Sequence, residues 1–144
     1  MRASHRGFTL IEVTTVLAMT SALCAIALPN FDAQLRKARR ADALAAIVQI
    51  QNSQERLRSQ GSRYGDLTEI GAASVSSARH YTLQATAFDA NGYEVVATAT
   101  GAQAKDADCR VMAVRAAGMN LTHVSGSDAT LANPEATNRR CWSL

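Results

Sequence analysis

Residues Phe8 to Leu28 read FTLIEVTTVLAMTSALCAIAL, an apolar run of 21 residues with one ionisable side chain, Glu12. A helix needs about 20 predominantly apolar residues to cross the hydrocarbon core of a bilayer, so the run predicts a membrane-spanning segment. A carboxylate in lipid costs at least about 2.5 kcal/mol and is as a rule paired or functional. Placing Glu12 at headgroup level, one turn in from Phe8, lowers that cost without explaining why the charge sits inside the run. Two other export signals fit less well. Ala25 and Ala27 could supply the small residues that a secretory signal wants before its cut, but such signals keep their apolar region free of charge. A lipoprotein-type cut before Cys24 wants a small residue where Leu23 stands.

Beyond the run the pattern changes. After Pro29 a second helical stretch is predicted to about Gln60, with a bend near Ala25–Pro29, because proline breaks or kinks a helix. Leu44, Ile47, Val48, Ile50 and Leu57 share one side of its wheel, and Asp42, Gln49, Asn52, Ser53 and Arg56 the other. Residues 61–77 read as a connecting loop. His80–Phe88 and Tyr93–Thr100 then alternate apolar with polar residues, the strand period, around a turn at Asp89–Gly92. Cys109–Arg115 and Met119–Val124 follow as third and fourth strands. Aromatic residues make up only 5% of the chain, so the core must come from Val, Leu, Ile and Ala. The expected fold class is α+β: one long helix packed on a small antiparallel sheet.

The string Gly7-Phe8-Thr9-Leu10-Ile11-Glu12-Val13, behind a short leader carrying Arg2 and Arg6, resembles the processing site of type IV prepilins and the related pseudopilins. Pro29 matches a proline common near the end of that family's apolar segment. The resemblance implies that a prepilin peptidase cuts between Gly7 and Phe8 and N-methylates Phe8. It implies that Glu12 then neutralises the new amine of a neighbouring subunit in the fibre, a pairing that selects register more than it adds stability. A glycine before the cut lets an enzyme approach the backbone closely. Finer features, namely Arg40-Ala41-Asp42-Ala43, Gln54-Glu55-Arg56 and Cys141-Trp142, resemble the PilE-like minor pilins. Family members carry a C-terminal disulfide, and an exported chain meets an oxidising compartment, so Cys109 and Cys141 are expected to pair around a loop at Gly118–Asn138. Cys24, inside the apolar run, reads as a small apolar residue.

Other chemistry is sparse. His5 goes with the leader, and His80 and His123 lack neighbours that suggest a metal site or a triad. Asp106-Ala107-Asp108 and Asp89–Gly92 lack the ligand series and distal Glu of a calcium loop. No cofactor, no metal and no enzymatic activity are expected. Net charge is +3, or +1 once residues 1–7 are removed, and residues 61–144 carry 7 basic and 8 acidic side chains, so no broad surface for polyanions is implied. Arg36, Lys37, Arg39 and Arg40 read as a solvated or fibre-packed helix face rather than a contact for headgroups or nucleic acid. They also sit on the far side of the span from the leader, against the positive-inside tendency. Arg139 and Arg140 beside Trp142 form the local basic-aromatic cluster and are candidate ligand contacts.

The expected organisation is a leader at 1–7, a transmembrane and assembly helix at 8–28, an amphipathic helix half at 29–60, and an outer globular region at 61–144. The expected function is that of a minor subunit of a bacterial type IV pilus. Before assembly it crosses the inner membrane once with a cytoplasmic N-terminus, and afterwards it is part of an extracellular fibre. Its expected partners are the prepilin peptidase, other pilin subunits and the inner membrane. Adhesion, motility or DNA uptake would follow from assembly. Two alternatives are a pseudopilin of a type II secretion machine and a competence pilin whose outer domain binds DNA directly.

Overall fold

A computed structural model describes residues 7–61, 63–89 and 91–142, with the side chains of residues 27–30, 88 and 89 left aside. Apart from Gly7, the leader lies outside the described residues, and the expected bend falls largely on positions whose side chains are not described. The chain divides into two units, up to Leu35 and from Arg36 onward. Helix α1, Leu10–Gly61, contributes to both.

In the first unit, a pair of reciprocal contacts opens the helix. Thr9 Oγ1 accepts from the Glu12 amide at 3.3 Å, and Glu12 Oε2 accepts from the Thr9 amide at 2.8 Å. This is a capping box, which satisfies orphan donors at a helix start. Further along, the hydroxyls of Thr14, Thr15, Thr20 and Ser21 donate to carbonyls three or four residues earlier. The hydroxyls of the run thus find acceptors within the helix. Leaving residues 27–30 aside, no single helix is long and apolar enough to cross a membrane; Leu10–Ile26 and Phe31–Gly61 meet the requirement only when taken together.

The second unit sets the C-terminal part of α1 against a four-stranded antiparallel meander in the order β1-β2-β3-β4. The strands are β1 Tyr81–Asp89, β2 Gly92–Ala99, β3 Val111–Ala117 and β4 Asn120–Gly126. Pairings such as Leu83↔Ala97, Ala97↔Met112 and Val95↔Val114 put the alternate apolar residues on one face. Tyr81, Leu83, Val95, Met112 and Val114 there meet Ala43, Ala46, Ile47 and Ile50 of α1 in one core. The expected α+β arrangement is therefore what the chain adopts.

Several boundaries move. Val48, expected on the buried face, is 52% exposed, and Ala43 and Ala46 are buried instead. The third strand does not begin at Cys109: Ala107–Cys109 is a 3₁₀ turn, and pairing starts at Val111. A 3₁₀ turn at Gly101–Lys105 precedes it. Within the disulfide-enclosed stretch Gly118–Asn138 the expected fourth strand is present as β4, but the remainder is not all loop: it holds the first half of a second helix, α2 Glu135–Trp142. The β3–β4 connection is the two-residue turn Gly118-Met119, and Gly118 adopts φ +60°, the conformation that tight hairpins demand and that glycine supplies without strain.

Candidate functional site

The N-terminal site is built by α1 alone. Phe8 is 89% exposed, and space around Gly7 is open to 4 Å where a Cβ would stand. Glu12 Oε2 also accepts from the Thr9 hydroxyl at 2.9 Å, so both donors of Thr9 converge on one carboxylate oxygen. Along the same stretch of helix, nine large apolar side chains from Phe8 to Ile26 are 46% to 89% exposed. Apolar surface on that scale marks an interaction site for a membrane or for other protein chains.

The C-terminal site is tied together by three long-range links. Cys109 and Cys141 form a disulfide, with their Cα atoms 5.4 Å apart; it fastens α2 to the 3₁₀ turn before β3. Arg40 of α1 donates to both carboxylate oxygens of Asp106, at 2.7 and 2.8 Å, and to the carbonyl of Arg140 at 3.0 Å. Both partners of the ion pair are largely buried. The hydrogen bond and charge of Asp106 raise the Arg40 pKa above its ordinary value, against the opposing effect of burial. Gln103 Nε2 joins the same network, donating to the Arg36 carbonyl and the Tyr81 hydroxyl. Burial pushes the Tyr81 phenol up to about 12.

The sequence cluster at the C-terminus divides. Arg139 and Arg140 are exposed. Trp142 is 5% exposed, its indole N–H donates to the Val124 carbonyl, and its ring meets His123 edge-on at 4.7 Å. Its ring is occupied by the core, which leaves the two arginines as the accessible part of that cluster. Of the basic stretch on α1, Arg40 is not a solvated residue but half of a buried pair. Asp106, read as a turn residue, is the other half. Their separation of 66 residues leaves no local trace.

Two further polar anchors escaped the sequence reading. Gln54 is fully buried, and its side-chain amide pairs with both backbone groups of Gly65, at 2.6 and 3.0 Å. Asp42, placed on the polar face of α1, accepts from the Ser76 hydroxyl at 2.6 Å and from the amides of Ala78 and His80. Desolvation raises its pKa, but those three hydrogen bonds outweigh that effect and leave it below the ordinary value. Among the described residues no group of three or more His, Cys, Asp or Glu is placed to hold a metal ion.

A long helix on a four-stranded meander, with a disulfide pinning the chain's last helix, is the architecture of a pilin. Residues 29–113 match the family model described as "Type IV minor pilin ComP, DNA uptake sequence receptor". The chain is also 36% identical over 87 residues to the Type IV major pilin protein PilA of Myxococcus xanthus (strain DK1622). That match covers 59% of this chain and 40% of the relative, so the chain spans well under two thirds of that protein's length. The chain belongs to the type IV pilin family.

Proposed function

We propose that this chain is a minor subunit of a bacterial type IV pilus, held in the inner membrane by its N-terminal helix and then withdrawn into a fibre. A prepilin peptidase cuts between Gly7 and Phe8 and methylates the Phe8 amine. In the fibre the carboxylate of Glu12 faces the amine of a neighbouring subunit, and the apolar side chains around it are covered by neighbouring helices. The observation that carries this reading is the set of nine open apolar side chains on a stretch of helix that bears one carboxylate. Nothing among the described residues of the first unit covers them, which suits lipid or other chains as the covering surface. The leader stays cytoplasmic and the disulfide-bearing region is exported.

The test is mass analysis of the N-terminus after co-expression with a prepilin peptidase. The expected product begins at a methylated Phe8. Recovery of the intact chain, with residues 1–7 attached and absent from sheared fibres, would falsify the proposal.

A second reading, favoured by the description of the matching family model, gives the outer region a direct contact with DNA. Exposed Arg139 and Arg140 are the candidate contacts. A salt-sensitive gel shift with the full chain, lost on changing both arginines to Ala, supports it; no shift removes it. A type II secretion pseudopilin shares the leader and helix, and deletion of the gene, scored for secretion against fibre formation, separates the two.

A further inference from the structure

Beside the disulfide lies a cleft of about 620 Å³, lined among others by Lys37, Arg40, Asp108, Thr137, Arg139 and Arg140. Its size falls in the usual range for small-ligand sites. Four of those side chains are basic and one is acidic. Arg40 is already spent on Asp106, and it fixes one wall by holding the Arg140 carbonyl. The disulfide at the next residue, Cys141, fastens that same end of α2 to Cys109. Lys37, Arg139 and Arg140 remain exposed at the rim. The Arg140 guanidinium is oriented by the Thr137 hydroxyl at 3.0 Å, and Arg139 has only a loose contact of 3.8 Å to exposed Glu135. The result is a fixed concave wall bearing three cations without close acidic partners among their described contacts.

We infer that this cleft binds the phosphodiester headgroup of an anionic phospholipid while the subunit waits in the membrane. The assignment depends on the anchored reading of the preceding subsection. Two observations favour a headgroup. First, Lys37 follows the apolar run by only nine residues, and basic side chains that close in sequence to a span are the kind that anionic headgroups attract. Second, basic residues directly beyond a span normally keep that end in the cytoplasm, yet here the basic end is the exported one. An anionic headgroup in the outer leaflet gives those charges a partner. Guanidinium groups suit phosphate oxygens because their paired N–H donors match the oxygen geometry. The unit that holds the cleft, Arg36–Leu144, carries 13 basic against 10 acidic side chains, a small excess rather than the broad field that holds a nucleic acid.

The experiment uses the full chain in neutral detergent, titrated with short-chain phosphatidylglycerol, phosphatidylcholine, inorganic phosphate or a DNA duplex. Bound lipid is read by native mass spectrometry. Saturable retention of phosphatidylglycerol over phosphatidylcholine is expected. The combined change Lys37→Gln, Arg139→Gln and Arg140→Gln should weaken it on the order of a hundredfold with the melting temperature unchanged. Arg56→Gln, Arg63→Gln and Arg79→Gln together remove the same charge elsewhere and should leave binding as it was. Equal retention of both lipids, equal binding by the first triple variant, displacement by inorganic phosphate at the same concentration, or tighter capture of the duplex would each overturn the inference. Membrane fractionation separates the two levels. A chain that fails to sediment with membranes defeats the anchored reading; one that sediments but shows no lipid preference defeats only the cleft.

Discussion

Two stretches of α1 use the same backbone conformation for opposite ends. From Phe8 to Ile26 the large apolar side chains lie open. From Ala43 to Gln54 the helix buries Ala43, Ala46, Ile47 and Ile50 in the core it shares with the sheet, and the amide of Gln54 against Gly65 of the loop that follows. The difference lies in where the covering surface comes from. The second stretch finds its partner within the chain, so its face is narrow and its opposite side is polar. The first is apolar around its circumference, which suits a helix surrounded by lipid or by other helices. Stability of the outer unit and assembly of the fibre should therefore be separable by mutation.

The largest expected effect is on the outer unit alone. Cys141→Ser removes the link to Cys109 and should lower its unfolding free energy by about 3–4 kcal/mol, read as a lower midpoint in chemical denaturation. Membrane association of the first unit should not change. Next comes Arg40→Met, which leaves the buried Asp106 carboxylate unpaired and should cost about 3 kcal/mol by the same measurement. Gln54→Ala strands both backbone groups of Gly65 and should cost about 2 kcal/mol.

Asp42→Asn is smaller, about 1 kcal/mol at neutral pH, and it depends on pH. The folded pKa of Asp42 is lowered, so its contribution is complete above the unfolded value of about 3.9. It is lost as acid carries the folded group through its own lower pKa. Wild type and variant should therefore converge as the pH falls below about 4. Last, Glu12→Gln should shift the outer unit's stability by less than about 0.5 kcal/mol while fibre incorporation, scored in sheared fibres, falls sharply. Normal incorporation of Glu12→Gln, or a melting shift as large as that of Cys141→Ser, would break the separation of the two regions.

Much of the fold was legible because its elements are periodic. Alternation in 80–88 and 93–100 located β1 and β2 to within a residue or so, and the wheel of 44–57 found Ile47 and Ile50. Val48 misled because an apolar side chain at the edge of a helical face reads the same whether or not a strand reaches it. Helix α2 was missed because it is short, polar and held by the disulfide and the Trp142 indole rather than by its own propensity. Asn133-Pro134-Glu135 was a start signal for it. At the candidate sites, the disulfide agrees with the expectation from sequence, whereas Trp142, grouped there with Arg139 and Arg140, is buried.

What the amino-acid order determined by itself is everything written as a local pattern: the charged apolar run, the amphipathic half of α1, the strands and the turns between them. Tertiary structure decided which polar groups go inside. Arg40 with Asp106, Gln54 with Gly65 and Asp42 with Ser76 are pairs 66, 11 and 34 residues apart. A buried polar group is tolerated only where a partner meets it, and whether the partner arrives depends on how helix and sheet dock, which no single segment encodes.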